Sequence, residues 1–268
     1  MMFKKISSSD NPFIRQLLSL DKARERKKNG HFVVEGLREI SLAADSHWEI
    51  EHLLFSPDIF DQSKMHSFIN DKKLHSTVIT EVSEPIFRKL TYRDKHADLL
   101  AVVRCKTLTL EHLSLSPLPL VLILESVEKP GNIGAILRTA DAAGVDALII
   151  CDPHTDIHNP NVVRSGLGAL FTVPIAVCSS HEAISWCRKH KLNIIASSLR
   201  SDRCYTDMDF RKGIAMVMGS EAEGISELWA NEADHLVKIP MHGKIDSLNV
   251  SNAAAILIFE VLRQRRIR

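Results

Sequence analysis

The chain has 268 residues, 45% of them hydrophobic and 25% charged. That length suits two domains better than one core, and that composition excludes an intrinsically disordered chain. Lys and Arg number 34 against 33 Asp and Glu, a net charge of +1, which excludes a uniformly cationic nucleic-acid coat but leaves room for a local basic patch.

Asp10-Asn11-Pro12 reads as a helix start, a capping side chain followed by proline. The stretch that follows carries Ile14, Leu17 and Leu18 at helical spacing and stops at Asn29-Gly30. Within it Arg15, Lys22, Arg24, Arg26, Lys27 and Lys28 face only Asp21 and Glu25, which suits a solvated helix face or an RNA contact equally. Strand HFVVEG, helix LREISLAADS and strand IEHLLFSP come next. A helix near Ile59–Lys72, strand STVITEVS, a helix over Glu84–Leu90 and strand LLAVVRC complete a small α/β domain over residues 1–105. Residues 106–117, rich in Leu and Pro, read as a linker.

Residues 118–268 alternate more regularly. Strand 121–126 leads to helix 131–144, then strand 147–151. Residues 152–174 read as a loop. Strand IAVC, helix HEAISWCRKH and strand 192–198 follow, then strand 213–220, helix EGISELWANEA, strand-like 235–241 and a last helix over Asn249–Gln264. Strands each followed by a helix imply a parallel sheet covered on both faces. The five cysteines, Cys105, Cys151, Cys178, Cys187 and Cys204, include no C-x-x-C pair. Neither a disulfide framework nor a cysteine zinc site is suggested, and reduced thiols in a cytoplasmic protein are the expectation. The N-terminus lacks the apolar segment of a signal peptide, and no apolar run approaches the ~20 residues of a membrane span. His154 and His158 stand four apart in a Pro-containing loop that matches no zinc spacing, so no metal is expected.

Three segments of this half carry candidate chemistry. In EKPGNIGAILRTADAAG, Gly131 and Gly134 sit at a strand-to-helix turn with Asn132 between them and Arg138 further along the helix. Glycines there admit a close backbone approach, and a helix N-terminus favours anions; a tight turn with a surface arginine fits as well. The spacing is neither a dinucleotide fingerprint nor a P-loop. In MVMGSEAEGISELW a strand ends at Gly219, and Glu221 follows where open α/β sheets bind ligands. In VKIPMHGKIDSLNVSNAAAILIFE, Ile239-Pro240-Met241 ends a strand and Ser247, Asn249 and Ser251 crowd the start of the last helix, as capping residues or as ligands.

These three segments, in this order, resemble the signature motifs of the SpoU/TrmH family, SPOUT-class RNA ribose 2′-O-methyltransferases dependent on S-adenosylmethionine. NPFIRQLLSLDKARERKKNGHFVVEG and EVSEPIFRKLTYRDKHADLLAVV are similar to the family's L30e-like substrate-binding domain. One departure is Lys95-His96-Ala97-Asp98-Leu99, where relatives carry a glycine. The resemblance implies a C-terminal parallel-sheet domain closed by a deep trefoil knot, a homodimer formed through that domain, and methylation of structured RNA, 23S rRNA in preference to tRNA. A tRNA enzyme and an inactive RNA-binding homologue are the alternatives. By matching position, Asn132, Arg138, Glu221, Ser247 and Asn249 are the implied catalytic set. Ser198, Leu199, Gly219, Ile239, Met241, Ser247 and Leu248 are implied to hold the cofactor. Arg24, Arg26, Lys27, Lys28 and Arg164 are candidate RNA contacts.

Overall fold

Short apolar runs separated by capped helices dictate an alternating chain. In the computed structural model, which describes residues 3–91 and 97–266, that alternation resolves into two units. One comprises Met1–Lys106 with Ile157–Thr172, the other Thr107–Asp156 with Val173–Arg268.

The first unit runs β1 (Lys4–Ile6), α1 (Pro12–Ser19), α2 (Ala23–Asn29), β2 (His31–Glu35), α3 (Leu37–Asp45), β3 (Ile50–Phe55), α4 (Gln62–Asp71), β4 (Val78–Val82), α5 (Glu84–Leu90) and β5 (Leu100–Arg104). Its sheet has the order β1-β4-β3-β5-β2. β1, β4 and β3 are parallel, and β5 is antiparallel to both β3 and β2. Ile14 and Leu17 of α1 and Ile86, Phe87 and Leu90 of α5 close over Leu54, Leu100 and Val102 of the sheet.

The basic stretch expected as one helix is two, and Arg26 shows why. It is 2% exposed, and its Nη1 donates to the carbonyls of Leu20 at 2.8 Å and Asp21 at 2.7 Å. A continuous helix would use those carbonyls internally; here the guanidinium holds the break open. This corrects the expectation for Arg26, whose buried fork is engaged with backbone and cannot reach a phosphate. Of the Lys95–Leu99 segment, Lys95 and His96 lie outside the described residues. Asp98 accepts from the N–H of Leu37 at 2.9 Å and so caps α3, which Gly36 cannot do with a side chain.

The second unit contains β6 (Leu120–Glu125), α6 (Pro130–Ala143) and β7 (Ala147–Cys151). Between β7 and the next strand lie α7 (Pro160–Gly166) and α8 (Ala169–Thr172), which group with the first unit. Then come β8 (Ile175–Cys178), α9 (Ser180–Lys189), β9 (Asn193–Ser197), β10 (Ile214–Met218), α10 (Glu227–Glu232), β11 (His235–Val237) and α11 (Val250–Arg266). The six strands are all parallel in the order β11-β9-β10-β6-β7-β8. Every residue of β6, β7 and β10 is buried, as a sheet covered on both faces requires. Ala183, Trp186 and Cys187 of α9 and Trp229 of α10 fill one face, while α11 packs on α6.

Two expectations change. Residues 106–117 are not a free linker: Leu110, Leu113 and Leu115 pack on the core of the second unit. Leu108 accepts from Val177 at 2.9 Å, which covers the outer edge of β8. Residues 152–174 are not all loop either. Asn159 caps α7 by accepting from the N–H of Asn161, with Pro160 in the first turn, the same signal as Asn11-Pro12. α7 packs on β2 and α8 on α3. The His158 ring lies 4.6 Å from that of Phe32, and Phe171 meets Trp48 edge-on at 5.3 Å.

Candidate active site

Strand order locates the site. From β6 the chain moves outward to β7 and β8, then returns on the other side so that β10 lies beside β6. Such a reversal leaves a crevice beyond the carboxyl ends of the two adjacent strands. The segments that follow them carry Asn132, in the first turn of α6, and Glu221, in the loop after β10.

Asn132, Glu221 and Asn249 are joined by hydrogen bonds of a single polarity. Asn249 Oδ1 accepts from the backbone N–H of Ser251 at 3.0 Å and from its hydroxyl at 2.6 Å. Its Nδ2 then donates to Asn132 Oδ1 at 3.1 Å. Asn132 Nδ2 donates to Glu221 Oε1. A backbone donor at one end and a carboxylate acceptor at the other fix both amide orientations. Asn249 therefore caps α11, as the capping reading has it, and bridges to α6 at once. Glu221 Oε2 is buried and has no hydrogen-bond partner among the described residues, an acceptor open to an incoming donor.

Beside this chain lies a cavity of about 340 Å³. Ser198 and Leu199 after β9, Gly219 after β10, Ile239 and Met241 after β11, and Ser247 and Leu248 before α11 all line it, as do Glu221, Arg200, Lys238 and Asp246. Three strand ends thus contribute backbone to one wall. Ser220 and Gly224 exchange N–H to O=C bonds of 3.0 and 3.1 Å, folding the SEAEG loop tightly back on β10. A Cβ on Gly219 would stand 2.0 Å from the Gly224 carbonyl carbon, so only glycine lets that loop close. Arg200 and Lys238 were not singled out in the sequence; their positions just past β9 and β11 were the available signal. Arg200 pairs with Glu227 at 2.9 Å.

The remaining candidates fall as follows. Arg138 is exposed on α6, outside the hydrogen-bonded set, and makes no ion pair among the described residues. The Ser247 hydroxyl reaches the Asp246 carboxylate at 3.4 Å. Arg24, Lys27 and Lys28 are exposed on α2. Arg164 is half-buried on α7 and donates to Asn161. His158 belongs to the aromatic cluster of the first unit.

Solved structures similar to this chain include RNA methyltransferases. An S-adenosylmethionine-bound rRNA methyltransferase from Sinorhizobium meliloti superposes with a TM-score of 0.90 at 28% identity, covering 97% of this chain and 98% of that one. Residues 119–259 match the SpoU rRNA methylase family and residues 11–101 match the MRM3-like substrate-binding domain. The chain belongs to the SpoU rRNA methylase family. The 23S rRNA (uridine(2479)-2′-O)-methyltransferase of Streptomyces viridochromogenes is 29% identical, over 98% of this chain and 93% of its own. The 23S rRNA (guanosine(2553)-2′-O)-methyltransferase RlmP of Bacillus subtilis is 26% identical, over 96% and 99%.

Proposed function

We propose that this SpoU-family methylase transfers a methyl group from S-adenosylmethionine to a ribose 2′-hydroxyl of 23S rRNA, as a cytoplasmic homodimer. The observation that carries the reading is the unpartnered Glu221 Oε2 at a cavity walled by three strand ends.

The cavity fits the cofactor. Its volume lies within the usual ~300–1,000 Å³ of small-molecule sites, and its wall is backbone and apolar side chain with Lys238, Arg200, Asp246 and Glu221 set into it. Cations suit a carboxylate and acids suit an ammonium or sulfonium. S-adenosylmethionine supplies a methyl group already activated on a sulfonium. The ribose hydroxyl is the weak partner, so the chain must align it and accept its proton as attack proceeds. Glu221 Oε2 is the acceptor for a hydroxyl proton, and the Asn249–Asn132 relay holds that carboxylate in one orientation. Arg138, exposed and uncommitted, binds the target phosphate and stabilises developing charge. It does so as a cation, because a guanidinium pKa above ~12 leaves almost no neutral form. Ser247 steadies the loop beside the cavity.

Two further parts of the reading have their own support. Ser198 N–H donates to Val237 O at 2.9 Å, and the 203–205 segment pairs with Lys238 on both its N–H and carbonyl, so the chain after β9 stays joined to β11 and its following residue, an arrangement compatible with the trefoil knot of this reading. On α11, half-exposed Phe259 beside Ile256 and Leu262 offers an apolar row for a second copy. No helix among the described residues is long and apolar enough to cross a membrane. The test is methyl transfer to 23S rRNA and to tRNA, with the modified nucleoside identified. Arg138→Ala should lose transfer and keep cofactor binding; near-normal turnover in that variant, or a methylated base, sinks the reading.

A further inference from the structure

We propose that Cys178 and Cys151 form a peroxide-responsive dithiol, which oxidation joins as a reversible disulfide across two neighbouring strands. The site lies outside the cavity and the polar relay, and the proposal does not rest on the reading of either.

Register brings the two residues together. Cys151 ends β7, Cys178 ends the edge strand β8, and the two are direct partners in the parallel ladder. Both side chains fall on the same sheet face. Cys151 is in the core beneath α9, and Cys178 packs against that same core from its rim. Their direct pairing in the register sets the two thiols beside each other. Neither is engaged in a disulfide.

Their environments separate their roles. Cys178 is half-buried and Cys151 fully buried, so an oxidant meets Cys178 first. The neighbouring Cys151 thiol holds the Cys178 thiol below its ordinary pKa, aided by the N–H of Ala183 in the first turn of α9; burial and the Glu182 and Asp152 carboxylates oppose this. A thiolate at a helix N-terminus is the reactive form. Cys187, on α9 over the same face, is pushed up to about 12 by burial and stays a protonated bystander.

The chemistry is two displacements. The Cys178 thiolate attacks one peroxide oxygen, the O–O bond breaks, and the leaving hydroxide takes a proton to become water. The resulting sulfenic acid is attacked by the Cys151 sulfur. The S–S bond forms as the S–O bond breaks, and the departing hydroxide takes the Cys151 proton as a second water. Each sulfur gives up one electron, and the two peroxide oxygens are reduced. Parallel neighbours stand ~4.8 Å apart, within the ~4.4–6.8 Å that disulfide Cα atoms span, so the bond closes by local adjustment of the strand ends. The turns that would yield are the ones anchored on these residues: Ser126 donates to Cys151 O at 3.0 Å and Asp152 to Cys178 O at 3.1 Å.

The experiment treats the whole folded protein with hydrogen peroxide, blocks remaining thiols, digests it and maps the linkage by mass spectrometry. The expected product is a Cys151–Cys178 linked peptide pair, two hydrogens lighter than its parts, that dithiothreitol restores. Cys187→Ser should leave that linkage intact, and Cys178→Ser should abolish it and leave Cys151 unmodified. A Cys178–Cys187 linkage, sulfinic acid at Cys178 with Cys151 untouched, or no change at either residue would overturn the proposal.

Discussion

Glu221 has one carboxylate oxygen committed to Asn132 and one buried without a partner among the described residues. That asymmetry separates what the residue does for the fold from what it offers a substrate. Glu221→Gln retains an oxygen for Asn132 and removes the charged acceptor at the other position. The variant should stay folded with KM little changed, while kcat falls by roughly 10²–10⁴, the range for losing a positioned acid–base group. A kcat that stays near the parent value in the variant would reassign the proton acceptor. Arg26 gives the opposite lesson at the same scale. Beside Lys27 and Lys28 it is one more cation in a basic run. Its place on the inner side of α2, with two carbonyls in reach, depends on a helix break that no local pattern announces.

At the level of elements, α11 is held at both ends by side chains that do double duty. Asn249 caps its start and reaches α6. Near its end Arg265 donates to the carbonyls of Leu118, Pro119, Phe210 and Lys212. Gln264 accepts from Phe210 N–H and donates to Met208 O. Arg265 is therefore an internal clamp, and Arg263 is paired to Glu260; Arg266 is exposed, and Arg268 lies outside the described residues. Hydrogen bonds from Arg263 and then Gln264, against burial, hold the Glu260 carboxyl below the usual glutamate range. The unfolded chain binds that proton at higher pH than the folded one. The stabilisation is thus present above the ordinary glutamate range and lost as pH falls through the folded value. Tm measured against pH should drop on the acid side, and Glu260→Gln should flatten that drop while lowering Tm at neutral pH. An unchanged acid limb in the variant would place the titration elsewhere.

The near-zero net charge reads differently once the cations are placed. Arg26, Arg263 and Arg265 are engaged internally, while Arg24, Lys27 and Lys28 are exposed together on α2, with Arg15 and Lys22 exposed nearby in sequence. Replacing the three on α2 with Gln should weaken RNA binding and flatten its dependence on salt by about 0.7–0.9 log units per log unit of salt for each phosphate no longer neutralised. Cofactor affinity should not move. An unaltered salt slope would show that the RNA is held by other residues.

Much of this molecule was legible along the chain. Period and capping marked nearly all the strands and helices, because a strand's apolar run and an Asn-Pro start are local facts. The three motif segments contained Asn132, Glu221 and Asn249, and the family resemblance pointed to Ser198, Leu199, Gly219, Ile239, Met241, Ser247 and Leu248, which line the cavity, but not to Arg200. Several features were not legible. β1 is three residues long and carries no periodic signal. Leu110, Leu113 and Leu115 have the composition of a linker until a core is there to receive them. Residues 157–172 look like loop in the second half of the sequence, yet their aromatics pack against Phe32 and Trp48 of the first. The sequence by itself determined the alternation of elements and the chemical inventory, since both depend on neighbours within a few residues. The tertiary structure alone decided that β10 lies beside β6, and with it that Asn132 meets Glu221 across 89 positions of chain. Strand order is set by how whole sheet faces are buried, and that is a property of the assembled core rather than of any segment.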